Sequence, residues 1–233
     1  MSLVYLIPSQ LDEDGFDALP SYIVDAVRDC QVFFVENERT TRRYFKRIWK
    51  EMIIDNYQWF NMENEDSAAS AFINCLKEGK NIGIVSEAGC PGIADPGQKL
   101  VQLAQEKNAT VKPLVGPSSI LLALMGSGLN GQRFSFRGYL PIDNGQRVQA
   151  IKDLENTSAK EDSTQLFIET PYRNNQMLEA LLKICQPHTQ ICVAKNLTGP
   201  NESILTKSVQ DWKKALPDLH KQPVLFLLKT RGK

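Results

Sequence analysis

The chain has 233 residues, of which 42% are hydrophobic and 23% charged, a composition typical of a globular protein that excludes fibrous and low-complexity classes. Because 27 basic residues balance 27 acidic residues, a polyanionic partner would have to be bound by a local basic patch. The five cysteines include no Cys-x-x-Cys pair and there are two histidines, so we expect no metal site and interpret the cysteines as small core residues.

The first eight residues contain a short apolar run without a basic segment before it. This run is too short for a signal peptide or a membrane span. We therefore expect a cytoplasmic protein that has no membrane partner.

Strand-like and helix-like patterns alternate through the first half of the chain. Leu3 to Ile7 is a continuous apolar run ended by Pro8, as in a buried parallel strand, and Ser21 is the expected cap of the first helix. The elements predicted next are strand 32–35, helix 39–49, strand 52–54, helix 67–76, strand 82–85, a helix through Leu100 and strand 110–115. This alternation predicts a mostly parallel sheet.

Strands follow one another more closely in the second half. The predicted elements are helix 120–125, helix 146–156, strand 164–169, helix 176–185 and strands 190–194, 203–206 and 223–228. Consecutive strands without an intervening helix indicate a mixed or antiparallel sheet. We therefore predict an α/β protein of two α/β domains, residues 1–115 with a mostly parallel sheet and residues 116–233 with a mixed sheet.

Residues 86–97 form the most distinctive segment, directly after strand 82–85. Its three glycines permit backbone angles that other residues rarely adopt, its two prolines fix neighbouring angles, and Glu87 and Asp95 are its carboxylates. In α/β proteins small ligands bind outside the carboxyl ends of the strands, which favours a ligand loop. The alternative is an elaborate strand-to-helix turn, in which Asp95 makes a turn or cap bond to the next helix.

Three further segments accompany this loop. They are Glu36, Arg39 and Thr41 after the second strand, a Gly-Pro-Ser-Ser helix entry at 116–119, and a Phe-Ile-Glu-Thr-Pro-Tyr-Arg run at 167–173. In this order the motifs resemble the tetrapyrrole-methylase superfamily over nearly the whole chain, and within it the ribosomal RNA small-subunit methyltransferase I family, which methylates a cytidine 2′-hydroxyl. Glu87, Cys90 and Ala94 replace Asp, Thr and Ser of the family's loop.

The resemblance implies that S-adenosyl-L-methionine binds in a cleft between the two domains of a homodimer, with rRNA or the small ribosomal subunit as partner. The cofactor-binding residues that it implies are Pro8, Ser86, Glu87, Ala88, Gly89, Ile93, Asp95, Ser118, Ser119, Phe167, Ile168, Leu197, Pro223 and Val224. Glu87 or Asp95 is expected to face the cationic end of the cofactor. For Ser118 and Ser119 the alternative is helix capping, and for Phe167 it is a core position.

Methylation of a ribose hydroxyl requires a base that takes the proton as oxygen attacks the methyl carbon. Glu36 is the candidate catalytic residue, although it could equally support the start of the next helix. Arg39, Arg42, Arg43 and Arg173 are the candidate substrate-binding residues. A solvated helix face is the alternative for the first three arginines, and an ion pair with Glu169 is the alternative for Arg173.

Several segments depart from the family's pattern. The first strand loop, Pro8-Ser9-Gln10-Leu11, lacks a glycine, Asn37 and Glu38 replace Asp and Thr, and no strongly basic run follows Pro141. These departures, together with Asn196 and Gly199, leave two other functions open. One is methyl transfer to a tetrapyrrole or other small molecule, and the other is S-adenosylmethionine binding without transfer.

Overall fold

Over residues 2–230, which the computed structural model describes, the strands form two five-stranded sheets, one in each half of the chain. The chain divides into two compact units between Ser118 and Ser119. The predicted α/β class, with one parallel and one mixed sheet, is confirmed.

The first unit alternates strand and helix. Its elements are β1 (Leu3–Ile7), α1 (Ile23–Asp29), β2 (Val32–Val35), α2 (Glu38–Ile48), β3 (Gln58–Asn61), α3 (Glu65–Lys77), β4 (Ile82–Val85), α4 (Gln98–Glu106) and β5 (Thr110–Pro113). The strand order is β3-β2-β4-β1-β5, and every pairing is parallel. Strands β2 and β4 are buried along their whole length, which explains their continuous apolar sequences.

Helices cover both faces of this sheet. One core cluster joins α1 and α2 to residues such as Phe33 and Val35, and a second joins α3 and α4 to residues such as Phe34 and Ile84. Strands β1 and β4 are neighbours in the sheet, but the chain runs from β1 to β2 on one side and from β4 to β5 on the other. Such a reversal of direction opens a crevice at the carboxyl ends of the two strands.

Two local predictions in the first unit are wrong. Residues 52–54 are not a strand, because Met52 is a single buried residue, Ile53 is 62% exposed and Ile54 begins a 3-10 turn. The strand is β3, an edge strand whose apolar signal is limited to Trp59 and Phe60.

Ser21 does not cap α1. Tyr22 occupies the cap position without a side-chain hydrogen bond. Ser21 instead lies in a turn, in which its carbonyl accepts a hydrogen bond from the Val24 N–H at 3.2 Å.

The second unit contains α5 (Ser119–Ser127), β6 (Phe134–Tyr139), α6 (Asn144–Glu161), β7 (Thr164–Ile168), α7 (Asn174–Ile184), β8 (Gln190–Lys195), β9 (Ser203–Ser208), α8 (Val209–Trp212) and β10 (Val224–Lys229). The strand order is β6-β7-β10-β8-β9, with β6 and β7 parallel and the other pairs antiparallel. Strand β6 was not predicted, because its residues are largely exposed and Gly138, with φ +65°, interrupts it.

Helices α6, α7 and α8 enclose the main core of the second unit, in which Phe167 stacks on Phe226 with ring centroids 5.7 Å apart. The buried Trp212 indole donates a hydrogen bond to the Ile191 carbonyl at 2.8 Å. Helix α5 packs against β8, β9 and β10. None of the helices over residues 2–230 is long and apolar enough to cross a membrane.

Candidate functional site

The loops that follow β1 and β4 are joined by backbone hydrogen bonds. The Ser9 N–H donates to the Gly89 carbonyl at 2.9 Å, and the Gly89 N–H donates to the Ser9 carbonyl at 3.1 Å. The Ser86 hydroxyl donates to the Gly89 carbonyl at 2.7 Å, and the Ser9 hydroxyl donates to the Ser86 carbonyl. Gly89 has a φ of +81°, which other residues rarely adopt. These bonds therefore hold residues 86–89 against the β1 loop at the crevice of the parallel sheet.

The segment at 116–118 packs against the β1 and β4 loops. The Tyr44 hydroxyl donates to the Pro8 carbonyl at 2.8 Å, and a Cβ on Gly116 would lie 2.3 Å from the Pro8 ring. The Cys90 sulfur lies 3.5 Å from the Pro117 carbonyl oxygen. Three of the segments with predicted cofactor residues, at Pro8, at 86–97 and at 116–118, are thus adjacent within the first unit.

Glu36 and Glu87 lie together at the carboxyl ends of β2 and β4. The Glu87 N–H donates to the Glu36 carboxylate at 3.0 Å, and the Thr40 hydroxyl donates to the Glu87 carboxylate. Burial raises the pKa of Glu36, and the negative charge of Glu87 raises it further, whereas the hydrogen bond from the Glu87 N–H lowers it. Glu36 is therefore a carboxylate at a position where its proton is held more tightly than usual.

Asp95 is the most perturbed carboxylate of this group. Burial, and then the charges of Glu36 and Glu87, raise its pKa to about 7. Its Oδ2 is buried and has no hydrogen-bond partner among the described residues. Asp95 does not cap the next helix, because α4 begins at Gln98 behind Gly97. A half-buried carboxylate without a partner is energetically costly, which favours a role toward a ligand over the turn or cap bond.

Asp95 also lines an open cleft of about 590 Å³ in the first unit. The other lining residues come from the starts of α3 and α4 and from the loop, and include Met62, Glu65, Gly97 and Lys99. The predicted cofactor residues Ala88 and Ile93 are exposed on the same loop, with Ile93 56% accessible.

The three arginines of α2 have different surroundings. Arg42 forms an ion pair with Glu38, and its guanidinium lies over the Trp59 ring at 5.2 Å from the ring centroid. Arg39 and Arg43 are exposed. The last two arginines therefore present their charges to solvent, as a phosphate contact requires, whereas Arg42 already has a structural partner.

The predicted cofactor residues of the second unit lie at one end of its sheet. Ile168 ends β7, Leu197 follows β8, and Pro223 and Val224 lie at the start of β10. Leu197 and Val224 are buried, and Pro223 is exposed. The side chain of Phe167 belongs to the core, and Ser118 and Ser119 are half-buried at the entry to α5.

Arg173 is paired with Glu169. Its guanidinium donates to the Glu169 Oε1 at 2.6 and 3.1 Å, and the Thr170 N–H donates to the same oxygen at 2.6 Å. The Glu169 side chain is only 1% exposed. The structure thus shows the ion pair that the sequence analysis gave as the alternative to substrate binding.

Ser9 and Thr40, which contact the loop at 86–97, were not identified from the sequence as part of the candidate site. Their only sequence signals are that Ser9 directly follows Pro8 and that Thr40 lies in the first turn after Glu36. Over residues 2–230, no group of three or more histidine, cysteine, aspartate and glutamate residues could hold a metal ion.

A parallel sheet with an acid-bearing loop at the point where the strand order reverses is the arrangement in which α/β proteins bind small ligands. The sequence matches the family of Tetrapyrrole (Corrin/Porphyrin) Methylases over residues 18–212. The chain therefore belongs to this family, which confirms the resemblance found in its motifs.

Similar sequences carry the name ribosomal RNA small subunit methyltransferase I. The relative from Micromonospora olivasterospora is 31% identical over 87% of this chain and 61% of its own length. The relative from Bacillus subtilis is 29% identical over 91% of this chain and 69% of its own length. The relative from Synechocystis is 30% identical over 90% of this chain and 72% of its own length. The chain thus spans about 60 to 70% of the length of these relatives.

Two solved structures share the fold. The methyltransferase CobJ superposes with a TM-score of 0.63 at 18% identity, over 98% of this chain and 93% of its own. Uroporphyrin-III-C-methyltransferase from Thermus thermophilus superposes with a TM-score of 0.57 at 15% identity, over 98% and 92%.

Proposed function

We propose that the chain is an S-adenosylmethionine-dependent methyltransferase that methylates a ribose 2′-hydroxyl in small-subunit rRNA. The observation that carries the proposal is the loop at 86–97, which is joined to the β1 loop by hydrogen bonds and in which the half-buried Asp95 has one oxygen without a partner, near Glu36 and Glu87. Family membership supports methyl transfer, and the names of the relatives support rRNA as acceptor.

The residues of the first unit fit the chemistry of the cofactor. S-adenosylmethionine has an ammonium group, a sulfonium group and ribose hydroxyls, and it supplies an electrophilic methyl group when bound. Asp95 adds a half-buried carboxylate whose charge a nearby cation would compensate, and the exposed Glu87 adds a second carboxylate. Glu87 and Ala88 are exposed residues of the same loop, and the Glu87 N–H already donates to the Glu36 carboxylate. The predicted cofactor residues of the second unit stay predictions.

Glu36 is the residue that we assign to the acceptor. Its raised pKa makes it a stronger base than a solvated glutamate, as removal of the ribose hydroxyl proton requires. Arg39 and Arg43 are exposed on the helix that begins two residues later, where their charges can hold phosphates. Thr40 holds Glu87, so the start of α2 links the predicted acceptor and cofactor residues.

Calorimetric titration with S-adenosylmethionine and S-adenosylhomocysteine tests the cofactor part. We expect Asp95→Ala to weaken S-adenosylmethionine binding at least tenfold, which corresponds to about 1.4 kcal/mol, with a smaller effect on stability. The loss should be greater for S-adenosylmethionine than for S-adenosylhomocysteine if Asp95 faces the sulfonium. Asp55→Ala removes an exposed carboxylate elsewhere in the first unit and is the control. A lower melting temperature of Asp95→Ala with unchanged affinity would contradict the proposal.

A methyl-transfer assay tests the acceptor part. We expect methyl incorporation into small ribosomal subunits, and we expect Glu36→Gln to lower the rate while S-adenosylmethionine binding is kept. Incorporation only into tetrapyrroles would replace the rRNA proposal. Tight cofactor binding without incorporation into either acceptor would indicate a binding protein without transfer activity.

A further inference from the structure

Tyr172 is a large aromatic side chain that lies on the surface of the second unit. It follows β7 by four residues, and 68% of it is exposed. The His220 ring meets it edge-on, with ring centroids 5.9 Å apart and planes at 73°. The Lys221 ammonium lies 5.9 Å from the centroid of the same ring. We call these three residues the Tyr172 surface.

The backbone beneath the Tyr172 surface is held in place on both sides. Glu169 binds the Thr170 N–H and the Arg173 guanidinium, which fixes the chain before and after Tyr172. The Lys221 N–H donates to the Pro171 carbonyl at 3.0 Å. The exposed ring therefore lies on a backbone that is already held in place. A ligand that binds to it would cause little loss of backbone entropy.

The neighbouring loop is also tied to α7. The Asn174 amide donates to the Gln222 carbonyl at 2.7 Å, and the Asn175 amide donates to the Asp218 carboxylate at 2.9 Å. Gln222 in turn accepts a hydrogen bond from the Asn196 amide at 3.0 Å. These contacts connect the Tyr172 surface to the end of the sheet that carries Leu197 and Val224, two of the predicted cofactor residues.

The charges around the ring suit an anionic partner. Arg173 and Glu169 neutralise each other, which leaves the Lys221 ammonium at the Tyr172 ring and the charge of Lys195 near the carboxylate of Asp218. That carboxylate already accepts hydrogen bonds from the Asn175 amide and the His220 N–H. The neighbours of the Tyr172 ring are His220 and Lys221, which are polar. These neighbours do not suit an apolar protein partner.

We propose that the Tyr172 surface binds single-stranded RNA, with a base stacked on the Tyr172 ring and a neighbouring phosphate held by Lys221. Aromatic rings next to cations are the elements by which proteins bind unpaired nucleotides, because every base has a face that can stack. The inference deepens the proposed function, on which it rests, by naming a second contact region for the RNA acceptor, in addition to Arg39 and Arg43.

Fluorescence anisotropy with a labelled single-stranded RNA of about ten nucleotides tests this inference. We expect Tyr172→Ala to weaken RNA binding about tenfold, and Tyr172→Phe to bind like the unchanged protein. Lys221→Gln should lower the slope of log affinity against log salt concentration by about 0.7, the value for one phosphate on a single strand. Phe134→Ala is the matched control, since it removes a 42% exposed aromatic ring at the opposite end of the same sheet.

Equal RNA affinities of Tyr172→Ala and the unchanged protein would overturn the inference, as would an equal loss in Phe134→Ala or no RNA binding by the unchanged protein. A change in sedimentation of Tyr172→Ala at unchanged RNA affinity would assign the surface to a protein contact instead. The same preparations are titrated with S-adenosylmethionine and assayed for methyl transfer. Normal values there, with RNA affinity independent of Tyr172, would refute this inference and leave the proposed function standing, whereas absent cofactor binding would refute the proposed function.

Discussion

At the scale of single residues, Asp95 combines two properties that rarely occur together on a surface loop. Its carboxylate is half-buried near two other carboxylates, and one of its oxygens has no partner within the described part of the chain. Such a group weakens the fold in its charged form, since water and hydrogen bonds do not compensate the charge. A bound cation would remove this cost, and folding stability is thereby linked to ligand binding.

The pH dependence of stability should reveal this cost. The pKa of Asp95 is raised in the folded state from about 3.8 to about 7, so its favourable contribution is complete below about pH 4 and is lost as the pH rises to 7. We expect Asp95→Asn to be more stable than the unchanged protein at pH 8 by about 1 to 2 kcal/mol, a value reduced for solvent screening of a half-exposed group, and about equal to it at pH 4.

Urea unfolding at a series of pH values measures this difference. Asp55→Asn, at an exposed carboxylate, is the control and should follow the unchanged protein throughout. If the Asp95→Asn curve is parallel to that of the unchanged protein between pH 4 and pH 8, the perturbation of Asp95 is not real.

At the scale of elements, the N-terminal cap of α2 lies between two residues of the candidate site, Glu36 and Thr40. The Asn37 side chain accepts hydrogen bonds from the Arg39 N–H at 3.0 Å and the Thr40 N–H at 3.3 Å. This cap lies directly after Glu36 and fixes the turn that brings Thr40 to Glu87. The replacement of the family's aspartate by Asn37 therefore keeps a cap acceptor, since both side chains cap helices well.

Removal of this cap should have a defined cost. We expect Asn37→Ala to lower the free energy of unfolding by about 1 kcal/mol, whereas Asn37→Asp should keep it within a few tenths. Chemical denaturation measures both variants. An Asn37→Asp variant as unstable as Asn37→Ala would show that the amide group, rather than an acceptor oxygen, is needed there.

The helices and buried strands could be predicted from sequence because their apolar residues recur at the period of the element. Strands β3 and β6 could not, since an edge strand with two half-buried rings and an exposed strand interrupted by Gly138 lack that period. For the site, the motif at 86–97 identified the loop. Its sequence contains no sign that Asp95 lacks a partner or that Ser9 bonds Gly89, because both depend on segments far apart in the chain.

At the scale of the whole molecule, a net charge of zero gives no general attraction to RNA. The proposed RNA binding would then depend on a few local contacts, such as Arg39, Arg43 and the Tyr172 surface, so we expect its affinity to be modest and to depend on salt. The proposed cofactor, by contrast, would bind beside a loop whose residues 86–89 are already held by hydrogen bonds.

Hydrogen exchange should show where the cofactor binds. We expect saturating S-adenosylmethionine to slow exchange of the amides in residues 86–97, while the amides of α6 in the second unit change little. At a concentration one hundred times the dissociation constant, the ligand should raise the free energy of unfolding by about 2.7 kcal/mol. Slower exchange confined to regions outside residues 86–97 would place the cofactor elsewhere.

The hydrogen bonds between the β1 and β4 loops also constrain the order of folding. Ser9 and Ser86 are 77 residues apart in sequence, and neither loop can reach its final shape before β1 and β4 have paired. Contacts between such distant segments form slowly, because a long chain must close first. The 86–97 loop is therefore completed late, and a nascent chain that ends before β4 lacks Ser86 and Gly89, the partners of Ser9 in the first strand loop.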